Sequence, residues 1–307
     1  MKKIFYILST IIGTATLVGC QDVIDLNTET GESQLVVDAW LTNETGNQVV
    51  KLTRSASYFD NSPAKPALGA VVAVTDDKGK IYTFKDIKSD GNYIWTPSTA
   101  QETLGKLDGK YRLSIKVDGE EYASASAVNR VPKIDSIAYE YRKPTVTPED
   151  APKEGYLAEF YAKDFTGAGD CYWIRFGRNN KQWNKAQDLE MAYDAAFSPG
   201  APTDGFMFIL PLRQSITPNN RTELYAEKDT IKVQLYSITE EAFFFLNQIR
   251  NESSNQGLFA TPPNNLPSNV INIKTGGKKA LGFFGMSAVS RLQVVVDPKK
   301  ARPSTKP

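Results

Sequence analysis

The sequence predicts a mainly β protein: an N-terminal β-sandwich over residues 34–132, then a second β-rich domain over residues 133–297 that carries one amphipathic helix. Three observations predict it. Short β-type runs succeed one another, Asp- and Gly-bearing turns separate nearly all of them, and a convincing helical apolar period appears at a single place.

In the first domain the runs are Leu35 to Leu41, Val49 to Leu52, Ala70 to Thr75, Ile81 to Phe84, Tyr93 to Trp95, Tyr111 to Val117 and Tyr122 to Ala125. Asp76-Asp77-Lys78-Gly79, Ser89-Asp90-Gly91 and Val117-Asp118-Gly119 read as hairpin turns, because Asp and Gly tolerate the positive φ of tight connections. In Lys110 to Val117 the apolar residues fall on one side of a period-two strand, so one face is core and the other wet. Gly69-Ala70-Val71-Val72-Ala73-Val74, followed by its turn, and Gly109-Lys110-Tyr111-Arg112-Leu113 resemble an immunoglobulin-like sandwich of the transthyretin or carboxypeptidase-regulatory type. That likeness concerns fold and implies no activity.

Val131-Pro132-Lys133 closes this domain, since proline cannot donate to a ladder, and Lys143 to Pro152 is a proline-rich loop. The second domain has runs at Ile134 to Tyr141, Leu157 to Ala162, Tyr172 to Phe176, Gly205 to Leu210, Thr230 to Tyr236, Val270 to Ile273, Leu281 to Met286 and Leu292 to Val296. Between them, Ser237 and Glu240 fit a capping box that opens a helix. Ala242, Phe245, Leu246 and Ile249 share one face of it, and Gly257 is a late stop. Residues 298–307 read as a flexible basic tail.

The front of the chain is of another kind. Lys2 and Lys3 precede an apolar run from Ile4 to Val18, which has the order of a secretory signal and is too short to cross a bilayer as a helix. It ends in Leu17-Val18-Gly19-Cys20, which looks like a lipobox: residues 1–19 are expected to be removed and Cys20 to carry acyl chains that anchor the protein in a lipid bilayer. Residues 20–33 read as a tether. Gln21 in second place lacks the aspartate of inner-membrane retention, and Asp22 with Asp25 resembles a surface-export signal, so the expected location is the outer membrane, facing the exterior.

Losing Lys2 and Lys3 takes the formal charge from +1 to −1, with no long block of one sign, so nucleic acid is not an expected partner. The chain has no histidine, which excludes His-dependent triads and His-ligated zinc. With Cys20 acylated, Cys171 is the remaining thiol, and its apolar setting in Cys171-Tyr172-Trp173-Ile174 reads as buried and inert. Asp38, Glu159, Asp170 and Asp194 are candidate acids for a carboxylate-based hydrolase, but no spacing singles out a pair. Asp164 to Asp170 is a glycine-rich bend that fits a calcium loop less well than a hairpin capped by its own Asp side chains. Trp40, Trp95 and Trp173 lie on strand runs and read as core. Trp183, flanked by Asn180, Lys181, Gln182, Asn184 and Lys185, is the candidate for an exposed ligand contact. No catalytic residue, cofactor or metal is expected.

Taken in order, the lipobox, Gln34 to Asn43, Gly69 to Val74, Val131 to Asp135, Asp164 to Trp173, the helix after Ser237, and Asn269 to Asn272 leading to Gly282-Phe283-Phe284-Gly285 resemble the Bacteroidota lipoproteins known as domain of unknown function 4249. Lys274 to Lys279 departs from that pattern, replacing a shorter Gly-rich link. The resemblance implies an outer-membrane lipoprotein, often encoded beside a TonB-dependent transporter, and carries over no catalytic residue. The expectation is a non-enzymatic surface lipoprotein acting as an accessory or ligand-presenting partner of a TonB-dependent transporter. A structural or assembly subunit of a larger outer-membrane complex is the alternative, and an envelope hydrolase the third reading.

Overall fold

The computed structural model describes residues 32–57, 60, 62–255 and 266–303. Signal, Cys20, most of the tether, and Gly257 lie outside the described residues. The mainly β class holds, as a sandwich-like arrangement of several sheets.

The seven expected strands of the first half form as β1 (Leu35–Thr42), β2 (Gln48–Arg54), β3 (Val71–Asp76), β4 (Ile81–Phe84), β5 (Asn92–Trp95), β6 (Lys110–Val117) and β7 (Glu120–Ala127). Alternation decides which faces turn inward. In β6 Tyr111, Leu113, Ile115 and Val117 are buried while Lys110, Arg112 and Lys116 are exposed. Each such aliphatic side chain contributes about 1.5–3 kcal/mol on full burial. Asp118 and Gly119 both adopt positive φ, as the tight β6–β7 hairpin requires.

The second half supplies β8 (Ile134–Arg142), β9 (Gly155–Ala162), β10 (Cys171–Arg178), β11 (Lys181–Gln182), β12 (Glu190–Tyr193), β13 (Thr230–Ile238), β14 (Ile271–Asn272), β15 (Ala280–Ser287) and β16 (Val289–Val295). Gly205 to Leu210 is not a strand. Met207 makes one isolated bridge to Lys163, and Leu210 already opens a short helix, α1 (Leu210–Arg213), followed by α2 (Pro218–Arg221). Pro211 in the first helical turn explains the switch, because it pre-sets the helical φ and cannot serve a ladder.

The linear partition at Pro132 does not describe the strand pairing. One sheet of the sandwich has the order β15-β1-β2-β5 and the other β14-β7-β6-β3-β4, so β14 and β15 return from the end of the chain to complete it. β15 runs parallel to β1 over its whole length, from Leu35 opposite Ala280 to Thr42 opposite Ser287. A core including Val37, Leu52, Val74, Leu113, Ile115, Phe284 and Met286 fills the space between these sheets.

The rest of the chain builds a second layer pair. The sheet β11-β10-β13-β16, with β12 also on β10, packs through Tyr172, Ile174, Phe176, Val233 and Leu235 on the β8–β9 ribbon. The long helix α3 (Glu240–Ser254) covers the other face of that sheet. Ala242, Phe245 and Leu246 are buried as expected and Ile249 partly so. Phe243 is buried too, and Phe244 stays exposed.

The cap of α3 differs from the sequence expectation. Thr239, not Ser237, is the N-cap, its Oγ1 accepting from the Ala242 N–H at 3.2 Å. Ser237 still belongs to β13, is fully buried, donates to Asn129 O and accepts from the Ala288 N–H. The helix ends at Ser254.

A third core under α3 joins the halves, bringing Tyr236 and Phe245 against Phe283, with Trp40 and Trp173 packed beside them. Residues Ser33–Pro307 form one compact unit that contains all three cores. The expected flexible tail is also revised for residues 298–303: Pro298–Lys300 form a 3-10 turn capped by Asp297, and the Arg302 N–H bonds Tyr139 O.

Candidate functional site

Three regions gather the chemistry-bearing side chains. At the first, Asp164, Asp194 and Asp204 bring carboxylate oxygens within 4.8 Å of one another. Asp164 follows β9, Asp194 follows β12, and Asp204 sits in the loop before α1, so three separated segments meet. Asp194 Oδ1 accepts from the N–H groups of Gly169 and Asp170 at 2.7 and 2.9 Å. Asp204 Oδ1 accepts from Gly167 N–H at 2.9 Å, while Asp164 accepts from the Tyr172 hydroxyl at 2.5 Å and from Gly205 N–H. Burial pushes the Asp164 carboxyl above the usual range and the Tyr172 hydroxyl well above its own. An all-oxygen set of this spacing suits a hard divalent cation in its chemistry. Its visible work is to staple the 164–170 bend to the 194–205 loop.

That bend was expected to cap itself with its own Asp side chains. Asp164 and Asp170 diverge instead: Asp170 is clasped by Arg130, whose Nη2 lies 2.6 Å away and also donates to the carbonyls of Thr166 and Gly167. Arg130 stacks over Phe165 as well. The caps come from Asp194 and Asp204, which sequence spacing gave no reason to place there.

The second region is a cleft of about 980 Å³ on the outer face of the β8–β9 ribbon, lined by Glu140, Arg142, Leu157, Glu159, Leu210 and Arg302 among others. Glu140 and Glu159 share a strand face, two positions apart in the ladder, and both are buried. Arg142 pairs with Glu140. Glu159 accepts from Tyr161 and from Arg302, the latter at 2.5 Å, and Arg213 stands 4.0 Å from its other oxygen. Glu159 is thus the anchor for the end of the chain, with Arg213 and Arg302 stacked on Tyr161 above it. Glu140 and Arg302 were not singled out in the sequence: Glu140 is one of three charged residues on β8, with Asp135 and Arg142, and Arg302 belongs to a short basic tail.

The third region is aromatic. Trp40 stacks on Phe283 at 5.3 Å and meets Trp173 edge-on at 5.3 Å, and Phe283 stacks on Phe245 at 4.7 Å. Gly285 makes this possible, since a Cβ there would stand 2.5 Å from the Trp40 ring. Arg175 lies over Trp173 and Tyr236 and donates to Asn184. Trp95 is core, whereas Trp40 and Trp173 are partly buried at the seam between halves. Trp183 is half-buried: one ring face stacks on Phe176, and Lys181 and Arg178 approach it. It is a packed indole with an open edge.

The four candidate acids do not converge. Asp38 is exposed on β1 opposite Lys51, Asp170 serves Arg130, Asp194 caps a bend and Glu159 holds Arg302. Cys171 is buried, and burial pushes its thiol up to about 12, the inert state its sequence setting suggested.

Comparison with known families brings these observations together. The family described as Domain of unknown function (DUF4249) matches residues 21–293. The chain belongs to that family. Within DUF4249 the match runs from the residue after Cys20 into β16, covering the strands of both layer pairs and the first and third regions, and it ends before Arg302 of the second. None of the curated proteins matches the chain.

Proposed function

We propose that this DUF4249 protein is a lipid-anchored, outer-membrane, surface-facing lipoprotein that acts without catalysis as the accessory or ligand-presenting partner of a TonB-dependent transporter. One observation carries the reading: the family match begins at Gln21, directly after the Leu17-Val18-Gly19-Cys20 sequence. A family region that starts directly after the candidate acylation site supports removal of residues 1–19 and a lipid on Cys20. The transporter partner comes from the resemblance stated above, and two surface features support a presenting role.

The cleft over Glu140 and Glu159 is of a size that small ligands use, and both of these carboxylates are already paired with arginines, as in a binding surface rather than a reacting centre. The loop pinned by Asp194 and Asp204 exposes Phe197, Phe206 and Met207 on an ordered backbone, with Leu210 exposed at the start of α1 just beyond it. Clustered exposed apolar side chains of this kind serve protein contacts.

Native pull-down from detergent-solubilised membranes with a C-terminal tag tests the proposal. A β-barrel transporter should be recovered, and metabolic labelling with a fatty acid should mark wild type but not Cys20→Ala. Recovery of assembly machinery without a transporter would favour a structural subunit of a larger outer-membrane complex.

A further inference from the structure

The described chain begins at one particular edge of the sandwich. Ser33 Oγ donates to Ser55 O, and the Gln34 N–H donates to Ser55 Oγ, which fixes where the body starts. Gln34 lines a groove of about 590 Å³ together with Leu266, Ile271, Lys274 and Lys279. Two features of this edge are at odds with a plain solvated surface.

The first is apolar. Ile271 and Ile273 are 63% and 55% exposed, and the Ile273 N–H continues the β14–β7 ladder by bonding Glu121 O at 2.9 Å, so the two sit at alternate positions of one extended segment. Leu266 adds to them at 37% exposure. The second is basic: Lys274, Lys278 and Lys279 are all exposed within the six-residue turn that departs from the family's shorter link. That turn is built. Asn272 reaches from β14 to donate to Lys278 O at 2.9 Å and to Glu120 at 2.7 Å, and its Oδ1 accepts from the Lys274 N–H. Of the nearby acids, Asp118 pairs with Arg54 and Glu121 with Lys116, Glu120 accepts from Asn272, and Lys274 Nζ donates to Gly119 O while its side chain stays exposed.

We infer that this face, Leu266, Ile271 and Ile273 with Lys274, Lys278 and Lys279, lies on a lipid surface and binds its anionic headgroups. Apolar side chains at the headgroup boundary, ringed by lysine, are the combination that peripheral membrane contact uses. The starting point of the body makes the bilayer the occupant rather than a soluble partner. The inference rests on the reading that Cys20 is acylated: a dozen residues separate Cys20 from Ser33, and they span at most about 40 Å. The face beside Gln34 is therefore within reach of the bilayer that holds the anchor. Contact there orients the body, so that the anchor sets distance and the patch sets posture.

The test uses residues 33–307 without lipid, a unit that contains all three cores. It is floated with phosphatidylcholine vesicles containing roughly 30% phosphatidylglycerol and with pure phosphatidylcholine vesicles. Wild type should float with the anionic vesicles and release at high salt. Lys274→Glu/Lys278→Glu/Lys279→Glu should bind about tenfold less or weaker, and Ile271→Asn/Ile273→Asn should likewise lose binding, with circular dichroism and melting unchanged in both. Equal binding to both vesicle types, or undiminished binding by the lysine variant, overturns the inference. Fatty-acid labelling of the full chain separates the two readings. A labelled chain whose body ignores anionic vesicles sinks the patch alone, and an unlabelled chain whose body binds them sinks the anchor alone.

Discussion

Gly282 packs against Val37 so closely that a Cβ built on it would fall inside the van der Waals shell of the Val37 carbonyl oxygen, and its φ is +91°. This contact sits in the middle of the parallel β1–β15 pairing, which closes the sandwich with a strand from the far end of the chain. Gly282→Ala therefore meets both a backbone collision and an unfavourable φ. It should cost about 3 kcal/mol or more, read as a lower urea midpoint, with Ala280→Gly on the same strand much milder. Equal losses at the two positions would show that the close approach is not what limits β15.

Ser237 and Thr239 should separate by their burial. Thr239→Ala removes an N-cap and should cost about 1 kcal/mol. Ser237→Ala leaves the buried Ala288 N–H and the Asn129 carbonyl without the hydroxyl, which should cost about 1–3 kcal/mol and exceed the Thr239 loss. Chemical unfolding of the two variants side by side checks the order.

Arg302 neutralises a buried carboxylate. Arg302→Ala should destabilise by about 3 kcal/mol, because Glu159 stays 4% exposed with its main cation gone, whereas Arg302→Ala/Glu159→Gln should recover much of that loss. A double-mutant cycle measures this. Additive losses would mean that Arg302 acts through packing on Tyr161.

Cys171 gives a pH dependence whose sign is fixed by the direction of its shift. Burial raises the folded-state value from 9.0 to about 12, so the unfolded chain ionises first. The stability tied to the neutral thiol is complete below pH 9 and is lost as pH rises toward 12, by up to about 4 kcal/mol across the window. The stability of wild type minus that of Cys171→Ala should fall between pH 8 and 10.5, a slope that simple loss of packing would not produce. The native thiol should also resist a thiol reagent at pH 8 and react fully in urea.

Phe206, 62% exposed on the pinned loop, should matter to association and not to folding. Phe206→Ser with Phe197→Ser should leave melting unchanged and abolish recovery of the transporter in the pull-down. Loss of stability with intact recovery would place the partner elsewhere.

Much of this molecule was legible in the sequence, because strands and turns are local events. Val72 and Val74 alternate with outward residues in one short window, and Asp118-Gly119 states its own turn chemistry. Gly205 to Leu210 misled because its apolar content resembles a strand, while Pro211 just beyond it decides the backbone. Ser237 misled because a hydroxyl before a helix looks like a cap wherever the strand ends, and β13 runs one residue beyond it.

By itself, then, the sequence determined the β class, the strand periods, the helix face, the missing histidine chemistry and the family resemblance. The tertiary structure alone decided the partners. It joined β15 to β1, brought Asp164, Asp194 and Asp204 together, gave Glu159 to Arg302, and seated Trp40 on Phe283. Val289 donates to Asn43 across 246 residues of chain. Periodicity records which way a side chain faces, since that is set by backbone geometry within a few residues. Which surface it faces depends on the global packing of apolar area and the pairing of buried polar groups, and no local window contains that information.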